Sequence, residues 1–154
     1  MLKSLFPSTA DPGSGDFSHA ELIRGAGKLP QELRTPVANY LRSAPMFFAW
    51  MELTEDLMEG NFRVPGGSAI NSDGTYYWRL DTAAYVEHYG MGVPEGFLRH
   101  VRARAWDPGQ VDELRFLEIY EELEQIMKRH AAGNQLPRQT FYPQQEPEIP
   151  DPNS

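Results

Sequence analysis

The apolar positions along the chain keep different rhythms in different stretches. Around Thr35-Pro36 the rhythm is helical: a capping residue precedes proline, and Val37, Tyr40 and Leu41 follow at i, i+3 and i+4. Pro45 breaks that stripe. Beyond it Phe47, Phe48, Trp50, Met51, Leu53, Leu57 and Met58 predict a second helix, apolar on more than one side and central to the fold. Gly60 lies just past its end, where a left-handed residue is needed. The period then shortens. Residues 61–64 and 68–70 read as short strands around Pro65-Gly66-Gly67. Asn71-Ser72-Asp73-Gly74 is a turn, and Thr75 to Leu80 is an aromatic strand that completes a β-hairpin. Alternation puts Tyr76, Trp78 and Leu80 on one face of that strand, with Tyr77 and Arg79 on the other. Trp78 is expected inside, and Tyr77 with Arg79 nearer the outside unless both faces are covered.

The helical rhythm then returns. Asp81 or Thr82 caps a helix from Ala83 to Tyr89 that Gly90 ends. Val93-Pro94-Glu95 starts another, carrying Phe97, Leu98 and Val101. Asp107-Pro108 opens the last, over 108–131, with a stripe of Phe116, Ile119, Tyr120, Leu123, Ile126 and Met127 and with Gly133 beyond it. Residues 1–29, mixed and rich in Pro and Gly, read as a loosely ordered lead in which Ser18 caps a short turn holding Ala20, Leu22 and Ile23. A globular domain is expected over 30–135, and 136–154 is a proline-rich tail. The class is mainly α to α+β, with about five helices and one small antiparallel β-hairpin or sheet.

Composition narrows the function. The chain has 154 residues, enough for one domain with a real core, and its 8 Phe, 7 Tyr and 3 Trp supply bulky material for it. Cysteine is absent, which excludes disulfides and thiolate metal sites and fits a reducing compartment. No apolar run reaches the length of a signal peptide or a membrane span, so a cytoplasmic location is expected. The formal charge is −8, from 14 basic and 22 acidic residues, and lysine occurs only at Lys3, Lys28 and Lys128. Such a chain is repelled by nucleic acid and by anionic lipid, and a basic protein is the better partner.

A search for catalytic chemistry finds little. His19, His88, His100 and His130 form no H-E-x-x-H and no pair at i, i+4. Neither His88 nor His130 has a Glu three residues before it, so no metal and no cofactor is expected. Gly66-Gly67-Ser68-Ala69-Ile70 is neither a nucleophile elbow nor a phosphate loop, and the diglycine reads as a turn or a close backbone approach. Asp81, Glu87 and His88 are the only polar set close enough in sequence to nominate for a small enzyme of unrecognised class, and a helix cap with an exposed helix face explains them equally well. Glu118, Glu121, Glu122 and Glu124 face away from the apolar stripe of the last helix, as a solvated face or as an acidic docking surface.

The run Gly67 to Asp81, with Tyr85-Val86, Tyr89 and Pro94-Glu95-Gly96-Phe97, resembles a pattern in small bacterial proteins: Ser-Asp-Gly, an aromatic strand with Trp-Arg, Asp, a Tyr-Val-x-x-Tyr helix and a Pro-Glu-x-Phe turn. Such proteins are similar to the immunity proteins carried beside polymorphic toxins, and the resemblance spans about residues 61–101. It implies a non-catalytic module that binds and silences one toxin domain. A basic toxin domain would then meet Asp73, Tyr77 and Arg79 on the hairpin and Glu118, Glu121 and Glu122 on the last helix. A general adaptor or structural interaction protein is the alternative, with the small enzyme third.

Overall fold

Strand Tyr76–Arg79 organises the structure, because both of its faces are covered. The computed structural model describes residues 1–5 and 19–133. Among these residues the helices are α1 (His19–Gly25), α2 (Gln31–Ser43), α3 (Thr82–Tyr89), α4 (Glu95–Ala103) and α5 (Glu113–Gly133). The strands are β1 (Lys3–Ser4), β2 (Met46–Phe48), β3 (Leu53–Glu55), β4 (Arg63–Pro65), β5 (Ile70–Ser72) and β6 (Tyr76–Arg79). The larger sheet runs β1-β6-β5-β2, with β1 parallel to β6 and the other pairs antiparallel; β3 and β4 form a separate antiparallel pair. The α+β class therefore holds, with a mixed four-stranded sheet where a hairpin alone was the minimum expected.

The turn at 71–74 closes the β5–β6 hairpin in the register Ser72↔Tyr77, Asn71↔Trp78 and Ile70↔Arg79. Alternation along β6 then feeds two cores. Tyr76 and Trp78 pack among α1 to α4, with Leu22, Tyr40, Leu41, Val86, Phe97 and Val101. Tyr77 packs on the opposite face under α5, with Leu2, Phe47, Ile70, Ile119, Leu123 and Ile126. The sheet is thus the middle layer of three. As expected, Trp78 is inside, fully buried, and its Nε1 donates to the Leu41 carbonyl at 3.0 Å.

Several expectations are corrected. The helix expected over 45–58 does not form. Met46–Phe48 instead pairs with β5, and Leu53–Glu55 with β4. A helix apolar all round needs burial all round, whereas aromatic residues are good strand formers and β5 offers an open edge. The helix before it starts at Gln31 and carries Pro36 inside, on an exposed position where water can reach the carbonyl that the missing N–H leaves without its bond. The last helix starts at Glu113, because Asp107-Pro108 turns the chain. Its first turn is capped by Asp112, whose Oδ1 accepts the Arg115 N–H at 2.8 Å. Within the lead expected to be loosely ordered, Lys3-Ser4 adds a strand beside β6, and Leu2, Leu5 and Leu22 are buried. The tail expected over 136–154 lies outside the described residues.

The diglycine is the close approach its composition implied. A Cβ on Gly67 would lie 1.8 Å from Thr54 Oγ1, and Gly66 has a φ of 68°. This lets β3–β4 lie against the start of α3. The hairpin's own turn is held by Asp56, which accepts the Met58 and Asn61 amides, both at 2.8 Å, and the Tyr89 hydroxyl. Burial opposes the Asp56 charge, but these donors outweigh it and hold the carboxyl below the usual carboxylate range.

Candidate functional site

The hairpin residues expected at the surface are internal. Tyr77 and Arg79 are each only 4% exposed: Tyr77 packs under α5 with Ile119 and Leu123, and Arg79 is buried against Asp81. Arg79 grips Asp81 through two bonds, Nε to Oδ1 at 3.1 Å and Nη2 to Oδ2 at 2.9 Å, a bidentate pair suited to a buried guanidinium.

Asp73 is buried as well, at the centre of a polar node. It accepts the Thr75 and Tyr76 amides at 2.9 Å each, the Tyr40 hydroxyl at 2.5 Å and His100 Nε2 at 2.8 Å. An ionised carboxylate only accepts, so Nε2 is the protonated ring nitrogen. Burial pushes the Asp73 carboxyl up, but the bonds from Tyr40, the two amides and His100 outweigh it and hold it below the ordinary range. Burial first, then the bond to Asp73, pushes the Tyr40 phenol far above its ordinary value. The node ties α2, α4 and the hairpin tip together, and every bond of Asp73 is occupied by structure.

The carboxylates of α5 divide. Glu118 and Glu121 are exposed, as expected of a solvated or docking face. Glu118 pairs with Arg115 at 3.2 Å, and Arg115 also reaches the Gly74 carbonyl at 3.0 Å. Glu122 is half-buried and accepts the Leu2 N–H at 2.6 Å, which fastens β1 to α5. The set Asp81, Glu87 and His88 does not act together: Asp81 holds Arg79, Glu87 pairs with Arg42 at 2.8 Å, and His88 lies exposed against the Phe62 ring at 4.9 Å.

A different surface emerges where β2 and the loop after it meet α5. Phe47 stacks on Phe116 at 4.4 Å, and Phe48 stacks on Tyr120 at 4.6 Å and on Trp50 at 5.9 Å. Phe116 and Tyr120 are 6.5 Å apart, so the five rings form one continuous ladder. Phe48, Trp50, Phe116 and Tyr120 are only half-buried. Met51 beside them is 95% exposed, and Leu114 and Leu117 on α5 are exposed too. Positions 113, 117, 120 and 124 follow one helical strip, which sets Glu113 and Glu124 at either end of Leu117 and Tyr120. The signal for this surface is the apolar run 47–53, which holds more large side chains than a small core takes in, although the same density also fits the buried helix expected there.

Among the described residues no group of three or more His, Asp or Glu side chains is placed to hold a metal ion, and no helix is long and apolar enough to cross a membrane. No protein-family model, no curated protein and no solved structure matches the chain.

Proposed function

We propose that this chain is a non-catalytic protein-binding module of the immunity type, which binds a basic toxin domain in the cytoplasm and blocks it. The observation that carries the reading is the half-exposed ring ladder Trp50–Phe48–Tyr120–Phe116, flanked by exposed Met51 and Leu117 and bordered by carboxylates. Aromatic side chains with a polar rim are what binding hot spots are made of, and a contiguous apolar patch on a small chain calls for a partner. The acidic border selects a cationic partner and speeds its approach. The contact surface moves accordingly: Glu121 remains in it, Glu124 joins it, and Tyr77, Arg79 and Asp73 act from beneath, as the framework that holds the sheet.

The test is capture from the native cell with the tagged full chain and with a Trp50→Ala/Tyr120→Ala variant. Wild type should retain one basic protein in stoichiometric yield and the variant should lose it. The captured protein should arrest growth when expressed alone, and co-expression of the chain should restore growth. Equal capture by the folded variant would move the interface elsewhere. A partner that is harmless to the cell would replace the immunity reading with an adaptor.

A further inference from the structure

A second site shares no residue with the ring ladder and is lined by β4, α3 and the end of α2. A cleft of about 390 Å³ opens there, floored by Phe62, Val64 and Leu80 and rimmed by Arg42, Arg63 and His88. We propose that this cleft binds a small amphipathic carboxylate, with its apolar body on the floor and its charge on the arginine rim.

Three observations support this. The volume falls within the range of small-molecule sites, and so does the design of an apolar lining with a few polar groups. At about 30 Å³ per heavy atom it holds roughly a dozen non-hydrogen atoms. The rim carries two guanidinium groups in a chain of net charge −8, and its members come from separate elements: Arg42 from the last turn of α2, Arg63 from β4 and His88 from the last turn of α3. The guanidinium of Arg63 is also under-used. Its Nε stands 3.5 Å from Glu55 Oε2, an exposed and loose pairing, and among the described residues it makes no hydrogen bond. Arg42 is held by Glu87 at 2.8 Å in an equally exposed pair. Exposed pairs of this kind contribute little, so an incoming carboxylate that offers Arg63 a two-pronged contact displaces almost nothing. The floor is positioned by the Asp56 turn, which fixes Phe62 against Tyr85 at 4.9 Å.

The site is independent of the ring ladder, so its test leaves the proposed function untouched. The probes are 4-phenylbutyrate, its amide and the corresponding amine, titrated into the full chain and followed by the amide resonances of Val64, Leu80 and Ala84. The acid should shift these resonances saturably, the amide should bind about tenfold more weakly, and the amine should not bind. Arg63→Gln should weaken the acid about tenfold and leave the amide unchanged, because it removes only the charged fork. Glu87→Gln, which releases Arg42, should tighten the acid. Equal affinity for acid and amide, no effect of Arg63→Gln, or no movement of these resonances at about 10 mM acid would overturn the proposal.

Discussion

The two faces of the four-stranded sheet are built differently. On the Tyr76–Trp78 face four helices close over the strand, and its rings meet edge to face: Tyr40 with Phe97 at 5.9 Å, and Tyr76 with Phe97 at 5.1 Å. On the Tyr77 face one helix does the covering. Its flank leaves Phe48, Trp50, Phe116 and Tyr120 stacked in parallel and half in solvent. The first face also carries the polar node at Asp73, with every donor buried or partly buried; the carboxylates of the helix over the second face are exposed, as Glu118 and Glu121 are, or half-buried, as Glu122 and Glu124 are. A small chain with both arrangements separates its tasks. One face supplies stability, and the other leaves exposed the apolar area on which the proposed binding function rests.

The largest effect that breaks this contrast is predicted for Trp78→Ala. The side chain is fully buried among α2, α3 and α4, and its indole N–H satisfies Leu41 O. Truncation should cost about 3–5 kcal/mol, read as a lowered urea midpoint. A loss below about 1 kcal/mol would mean that the Tyr76–Trp78 face is no more important to stability than its opposite.

Asp73→Asn comes next, at about 2–4 kcal/mol near neutral pH, because it removes the charge that four donors are arranged to meet. Its pH dependence has a defined sign. The folded carboxyl titrates below its unfolded value of about 3.9, so its stabilisation is fully present above that value and is lost as pH falls through the lower, folded one. Wild type and variant should therefore converge in acid. Urea midpoints measured from about pH 6 down to pH 2 check this. The Asp56 carboxyl, also held low, keeps part of the acid sensitivity in the variant.

On the other face the order of effects reverses. Trp50→Ala should cost about 1 kcal/mol of stability or less, since the ring is half exposed, yet about 2 kcal/mol or more of partner affinity. Calorimetry with the purified partner, beside a denaturation curve, separates the two. A variant that unfolds readily but binds normally would make the ladder a core element and remove the distinction between the faces.

The closed face was the more legible one in the sequence. Trp78, the turn at Asp73-Gly74, the helix ended by Gly90 and the stripe Phe97, Leu98 and Val101 are local patterns, read from neighbours two to four residues away. The open face depends on contacts between Phe47 and Phe116 and between Phe48 and Tyr120, about seventy residues apart, and no local period announces them. The same limit hid the burial of Asp73, whose partners Tyr40 and His100 lie on other helices, and of Tyr77, which depends on where α5 docks. The run 45–58 forms strands in place of the expected helix because a dense apolar stretch has no period of its own, and the pairing that decides it lies in β5 and β4.

The smallest predicted effects lie within the acidic helix and separate its two uses. Glu122 and Glu121 are neighbours in sequence with different duties: Glu122 accepts the Leu2 N–H at 2.6 Å, and Glu121 points to solvent. Glu122→Gln keeps an acceptor but loses the charge that strengthens the bond, so the attachment of β1 should weaken by about 0.5–1 kcal/mol. Hydrogen exchange at the Lys3 and Leu5 amides, which donate to Thr75 O and Tyr77 O, reads that change directly. Glu121→Gln should leave exchange and the urea midpoint unchanged. Its effect belongs to association: the rate with a basic partner should fall, and the remaining rate should depend less on salt, because the screened charge acts over about 8 Å at physiological ionic strength. Equal association rates for the wild type and Glu121→Gln across that salt range would make the exposed carboxylate a solubilising group. The ring ladder would then recognise its partner without electrostatic guidance from this position.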